Sequence, residues 1–147
     1  DNIERITLFM KYTEFYTPTG KIIKNIDIQT MYKYTVEGFE KYWSDGQGAE
    51  IHYFEDNFSA TLTIGVNLNY GFYFNYSDRK IEEISLFDIN KIEDITETTD
   101  ELEVSVGLFI PPILAWEVIK TFIEKGKASK QIQWINPDNL PEDSRFY

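Results

Sequence analysis

The stretch that most constrains the fold is Ala60–Leu68. Ala60, Leu62, Ile64, Val66 and Leu68 occupy alternate positions, with Thr61, Thr63, Gly65 and Asn67 between them. A period of two marks a strand with one buried face. The turn-prone Asn69-Tyr70-Gly71 follows, then the aromatic-rich run Phe72–Tyr76, so the two runs predict a hairpin. On its second strand Tyr70, Phe72, Phe74 and Tyr76 share one face, and Gly71, Tyr73 and Asn75 the other. With Phe72 and Phe74 in the core, Tyr73 projects to the opposite side. There it either anchors an interface as a half-exposed tyrosine or packs beneath a loop or second helix.

Further strands are expected around Ile81–Phe87 and over Leu102–Leu108, where Leu102, Val104, Val106 and Leu108 alternate with Glu103, Ser105 and Gly107. Ile3–Tyr12, Glu50–Phe54 and Gln131–Ile135 are shorter candidates. Asp27 is placed to cap a helix from about Ile28 to Trp43, with Met31, Thr35, Phe39 and Tyr42 at helical spacing and Gly38 as its weak point. A second helix opens at Pro111-Pro112, carries Leu114, Ala115, Val118, Ile119 and Phe122 as its apolar stripe, and closes at Lys125-Gly126-Lys127. Trp43, Trp116 and Trp134 read as structural. The central strands follow one another without intervening helices. The expected fold class is therefore α+β: a single, mostly antiparallel sheet of about six strands with two main helices packed on one face. The 147 residues suit one domain, 1–147, with an irregular tail from about 136, where Pro137 and Pro141 fall.

Chemistry is sparse. The chain has no cysteine, which excludes disulfide scaffolds, iron–sulfur clusters, thiol catalysis and Cys-ligated zinc. His52 is the only histidine; it sits in Ile51-His52-Tyr53-Phe54 without a partner at motif spacing, so no zinc or other metal site is expected and His52 reads as structural or surface. The carboxylate pairs Glu55-Asp56, Glu82-Glu83 and Glu93-Asp94 are adjacent, and on a strand adjacent residues point to opposite faces. Glu93, Glu97 and Asp100 share a face only if their segment coils helically. The loop from Asp88 to Asp94 lacks the glycine and terminal glutamate of a calcium-binding loop, and Gly46-Gln47-Gly48 lacks the context of a phosphate cradle. Neither a catalytic residue nor a cofactor is expected. An enzyme would have to work with carboxylates alone. The charge-free run Val104 to Trp116 is 13 residues and is broken by Gly107, Pro111 and Pro112, short of a membrane span. The sequence opens at Asp1 without a signal-type segment, which leaves a trimmed N-terminus open.

Charge is the remaining signal. The chain carries 25 Asp+Glu against 14 Lys+Arg, a formal net charge of −11. Glu82–Glu103 holds 9 of the acids and only Lys91, whereas Val104–Tyr147 holds 5 of each sign. Such a balance argues against direct nucleic-acid binding, which rests on cations meeting phosphate, and favours a basic protein partner.

Phe109-Ile110-Pro111-Pro112, the amphipathic run Ile113–Glu124, Lys125-Gly126-Lys127 and Gln131-Ile132-Gln133-Trp134 form an ordered pattern, preceded by the aromatic-glycine hairpin Tyr70-Gly71-Phe72 with Tyr76. This pattern resembles an immunity-protein family of bacterial polymorphic toxin systems, the Imm family often encoded beside nucleic-acid deaminase toxins. The resemblance covers roughly residues 60–136; Ala128-Ser129-Lys130 departs from the usual small residue and proline between helix and strand. It implies a small, non-enzymatic, cytoplasmic inhibitor, monomeric or weakly dimeric, that binds one cognate basic toxin domain (a deaminase or nuclease) and needs neither nucleic acid nor membrane. The motif positions are fold determinants and assign no functional residue. The expected toxin-binding residues come instead from the acidic segment: Glu82, Glu83, Glu93, Asp94, Glu97, Asp100 and Glu101, with Tyr73 as anchor. The alternative is an adaptor, or a small-ligand-binding module with an apolar pocket and converging polar groups.

Overall fold

A computed structural model describes residues 10–147. The expected strand Ile3–Tyr12 falls mostly outside this range. The first described strand is β1 (Lys11–Tyr16), followed by β2 (Ile22–Lys24), β3 (Ala49–Glu55), β4 (Phe58–Asn67), β5 (Gly71–Asp78), β6 (Glu82–Leu86), β7 (Ile95–Glu97), β8 (Glu103–Ser105) and β9 (Gln133–Ile135). The fold is α+β, and its main sheet has seven strands, one more than expected, in the order β2-β1-β3-β4-β5-β6-β9. Every neighbouring pair is antiparallel. Strands β7 and β8 form a separate two-stranded ribbon. The additional strand is β2, a three-residue edge between Lys21 and Lys24. It is too short to show a period, and its lysines discourage further pairing at the edge.

The helical face is built as the alternation demands. Phe15, Ile51, Leu62, Ile64, Val66, Phe72, Phe74 and Tyr76 all point to one side and are buried there. Against them lies a helical run that the sequence reads as one helix and the structure divides. It comprises α1 (Ile28–Tyr32), a π-helical stretch (Lys33–Glu37) and α2 (Phe39–Trp43). The Asp27 carboxylate caps its start by accepting from the Thr30 N–H at 3.1 Å. The interruption comes at Gly38, whose N–H donates to the Lys33 carbonyl five residues back at 2.7 Å. It lets Trp43 meet Phe72 edge-on at 5.2 Å while its indole N–H donates to the Tyr34 carbonyl at 3.1 Å. Helix α3 (Pro112–Lys125) packs on the same face through Phe122, which contacts Tyr53 and Tyr76. It ends at Gly126, whose φ of 66° is left-handed, and a Cβ there would strike the Tyr53 ring.

The described residues cover only half of the opposite face. A second core joins Tyr73, Ile84, Ile92, Val104, Leu108 and Phe109. It is roofed by the segment from β6 to Phe109 and by the tail, which contains a 3₁₀ turn at Pro137–Asn139. The expected strand Leu102–Leu108 is a correction: only Glu103–Ser105 is extended, and Val106–Leu108 turns as a 3₁₀ helix. The cause is Gly107, which lies so close to the Asp88 and Lys91 backbones that no side chain fits, and whose carbonyl accepts from the Phe87 and Asp88 N–H groups at 2.8 and 2.9 Å.

Candidate functional site

The acidic segment is a fixed ribbon rather than a free loop. The Thr99 N–H donates to the Val66 carbonyl at 2.8 Å, and the Asn67 side-chain amide donates to the Glu97 carbonyl at 2.8 Å and to Thr96 Oγ1 at 3.1 Å. The Val106 N–H donates to the Asp94 carbonyl at 2.7 Å, and the Ser85 hydroxyl to the Leu108 carbonyl at 2.7 Å. The charge is thereby carried on a rigid scaffold, which loses little entropy when a partner binds.

The expected residues are distributed as follows. Glu82 and Glu83 pair with Ser77 and Tyr76 in register, so they face opposite sides; the Glu82 carboxylate accepts from the Asn75 amide at 2.9 Å. Glu93, Asp94, Glu97, Glu101 and also Glu103 are exposed. Glu93, Glu97 and Asp100 do not share a helix face, because Ile95–Glu97 is strand. Glu97 and Glu103 stand directly opposite each other across the ribbon, a like-charge pair that works against the ladder. Among the described residues no Lys or Arg nitrogen lies within 4.0 Å of a carboxylate oxygen; the one charge contact of that kind is His52 Nε2 to Glu50 Oε1 at 2.8 Å. Among the described residues no lysine or arginine makes an ion pair with the acids of the ribbon.

Glu101 sits at the ribbon's tip with φ 66°. The other two non-glycine residues in left-handed backbone, Asn25 and Asp56, are of types that tolerate it, whereas glutamate is not. The turn is closed by the Thr98 N–H donating to the Leu102 carbonyl at 2.8 Å and the Glu101 N–H to the Thr98 carbonyl at 2.9 Å. An asparagine in this place makes the same turn with less strain. Glu101→Asn is therefore expected to raise stability by roughly 0.5–1 kcal/mol in denaturant unfolding. If the glutamate is held for its charge, the same change weakens partner binding. An unchanged or lowered stability would remove the strain from the account.

Tyr73 is a correction. It is 0% exposed, because the ribbon and tail cover its face of the sheet. Its ring packs 6.3 Å from Phe109 and 5.0 Å from Tyr147; its hydroxyl donates to the Tyr147 carbonyl and accepts from the Tyr147 N–H at 3.1 Å. Burial pushes this phenol well above its ordinary pKa. Tyr73 cannot anchor a partner. The exposed aromatics lie nearby instead. Tyr70 at the β4–β5 turn is 43% exposed and Phe87 after β6 is 53% exposed. Both line a hollow of about 450 Å³ that also touches Leu68, Asp88 and Pro111. Sequence reading passed over Phe87 because it ends a strand and signals nothing by period.

The uncovered half of the second face holds a row of aromatic rings that sequence reading also missed. Tyr12 stacks on Phe54 at 4.7 Å, Phe54 lies 6.3 Å from His52, and His52 lies 4.7 Å from Tyr16. The signal was the alternation of Tyr12, Glu14 and Tyr16 with the facing Glu50, His52 and Phe54, a pairing legible only once register is known. At the Tyr16 end the row opens into a groove of about 820 Å³ lined by Tyr16, Asp45, Glu50, Thr63 and Asp100, among others. Among the described residues no group of three or more His, Asp or Glu is placed to hold a metal ion, and no helix is long and apolar enough to cross a membrane.

Comparison with protein-family models, with curated proteins and with solved structures finds no match to this chain.

Proposed function

We propose that this protein is an immunity protein. It is a non-enzymatic inhibitor that binds one basic, nucleic-acid-targeting toxin domain, a deaminase or nuclease, in the cytoplasm and occludes its cationic cleft with the acidic ribbon. The observation that carries the reading is the ribbon's unneutralised charge. Glu93, Asp94, Glu97, Glu101 and Glu103 are exposed on a hydrogen-bonded scaffold, two of them directly opposed, and among the described residues no Lys or Arg nitrogen lies within 4.0 Å of their carboxylates. A protein that holds like charges together at a cost in stability is complementary to a surface of the opposite sign. A toxin that processes DNA or RNA must present such a surface to phosphate. The pattern from Tyr70 to Trp134 that resembles the Imm family supports the same reading. The hollow beside the ribbon, lined by the exposed Tyr70 and Phe87, supplies apolar anchors.

The test is inhibition in vitro. The protein encoded immediately upstream, which the reading expects to carry the toxin domain, is purified and its turnover of nucleic acid followed as this protein is titrated in. The reading expects complete inhibition at one-to-one stoichiometry, with an affinity that weakens as salt rises. Undiminished turnover at excess inhibitor overturns it and favours the adaptor.

A further inference from the structure

We infer that the uncovered half of the sheet's second face is a docking surface for an arginine-bearing segment of a basic protein, with the guanidinium seated in the groove between Tyr16 and Asp100. The inference rests on the immunity reading for the partner being a basic protein, and it adds a contact region on the sheet face that meets the acidic ribbon only at Asp100.

Three features of the face lead there. Its floor is an aromatic row, Tyr12, Phe54, His52 and Tyr16, whose rings are half-buried, and no element of the described residues packs over them. Aromatic faces attract cations, and this row already holds one: Lys24 Nζ lies 4.7 Å above the Tyr12 ring. Among the described residues no cation lies over the Tyr16 ring, yet this end is where the carboxylates gather. Glu14 accepts from the Tyr16 hydroxyl at 3.4 Å, Glu50 follows in register opposite Tyr16, and Asp45 and Asp100 stand across the groove. Asp100 reaches far enough that its Oδ2 lies 3.5 Å from where a Cβ on Gly48 would sit. Burial first, then the Glu14 and Glu50 carboxylates, raise the Tyr16 phenol above its ordinary pKa.

A flat ring beside carboxylates on two walls matches a guanidinium better than an ammonium. Arginine stacks on the ring and bridges carboxylates with its fork of N–H groups, whereas lysine acts as a point charge. The same carboxylates repel phosphate, so nucleic acid does not fit. A second copy placed face to face would set these acids against themselves.

The test uses probes of equal charge, the blocked tripeptides Gly-Arg-Gly and Gly-Lys-Gly, titrated into the isotope-labelled protein and followed by amide NMR. The expected result is arginine-induced shifts centred on Tyr16, Glu50, His52 and Asp100. The lysine probe is expected to bind there about threefold more weakly. Tyr16→Leu abolishes the preference for arginine and Glu50→Gln weakens both probes, while Glu97→Gln in the ribbon changes neither. If Tyr16→Leu loses its folded spectrum, the probe comparison on the unaltered protein and the Glu50→Gln surface variant decide. Equal binding of the two probes, or shifts centred on Glu93, Asp94 and Glu97, or concentration-dependent shifts from self-association overturn the inference. A toxin bound undiminished by Tyr16→Leu but lost on altering the ribbon also overturns it and leaves the immunity reading standing. An arginine site in a protein that leaves its toxin active does the reverse.

Discussion

With Glu93, Asp94 and Glu97 changed to lysine, binding to the basic toxin domain weakens by about 100-fold at physiological salt, which is about 2.7 kcal/mol. Each reversal removes an attraction and adds a repulsion within a screening length of about 8 Å. The logarithmic dependence of affinity on salt flattens at the same time, because fewer opposed charges remain to be screened. The fold is expected to gain rather than lose. All three residues are exposed, and Glu97→Lys turns the like-charge pair with Glu103 into an attractive one, worth roughly 0.2–1 kcal/mol. Binding and stability thus move in opposite directions in one variant. Acids present only for solubility would leave affinity and salt slope where they were. Calorimetric titration over a salt series, with urea unfolding of the free variant, reads both quantities.

Phe109→Ala is expected to lose about 3–4 kcal/mol. Phe109 is buried in the second core between Tyr73 and Tyr70, each ring 6.3 Å away, at the point where the chain passes from the ribbon to α3. Next to it, Ile110 and Phe72 exchange backbone hydrogen bonds at 2.7 and 2.9 Å, so the vacated space cannot close without breaking the bridge. For a chain of this size the loss corresponds to a fall in melting temperature of about 6–16 °C. The ribbon should feel it first. Hydrogen exchange at Thr98, Thr99 and Val106 is expected to accelerate more than at Leu62 or Ile64 in the first core. A uniform acceleration would mean that the two cores melt as one, and that the ribbon is not a separately supported platform.

The two cores also explain how far the sequence could be read. The hairpin of β4 and β5, the antiparallel sheet and α3 from Pro112 to Gly126 follow from local pattern: a period of two, a period of 3.6, and the conformational preferences of proline and glycine at helix ends. What was not legible depended on contacts distant in sequence. The alternation over Leu102–Leu108 matches a strand, but the fit of Gly107 against the Asp88 backbone, 19 residues earlier, turns it into a 3₁₀ helix. Tyr73 alternates correctly away from Phe72 and Phe74, and sequence cannot show that the ribbon and Tyr147 roof its face. The acidic residues were identifiable by count alone. Their rigidity, the opposition of Glu97 and Glu103, and the aromatic row opposite Glu14 and Glu50 needed strand register.

The most direct measurement is growth. A susceptible bacterium expresses the protein encoded immediately upstream, the proposed toxin, together with the unaltered protein or with the Glu93, Asp94 and Glu97 lysine variant. Growth restored by the unaltered protein, and lost with a variant that remains folded and equally abundant, is the predicted result. Equal rescue by both would contradict the acidic ribbon as the neutralising surface, and rescue by neither would contradict the immunity function itself.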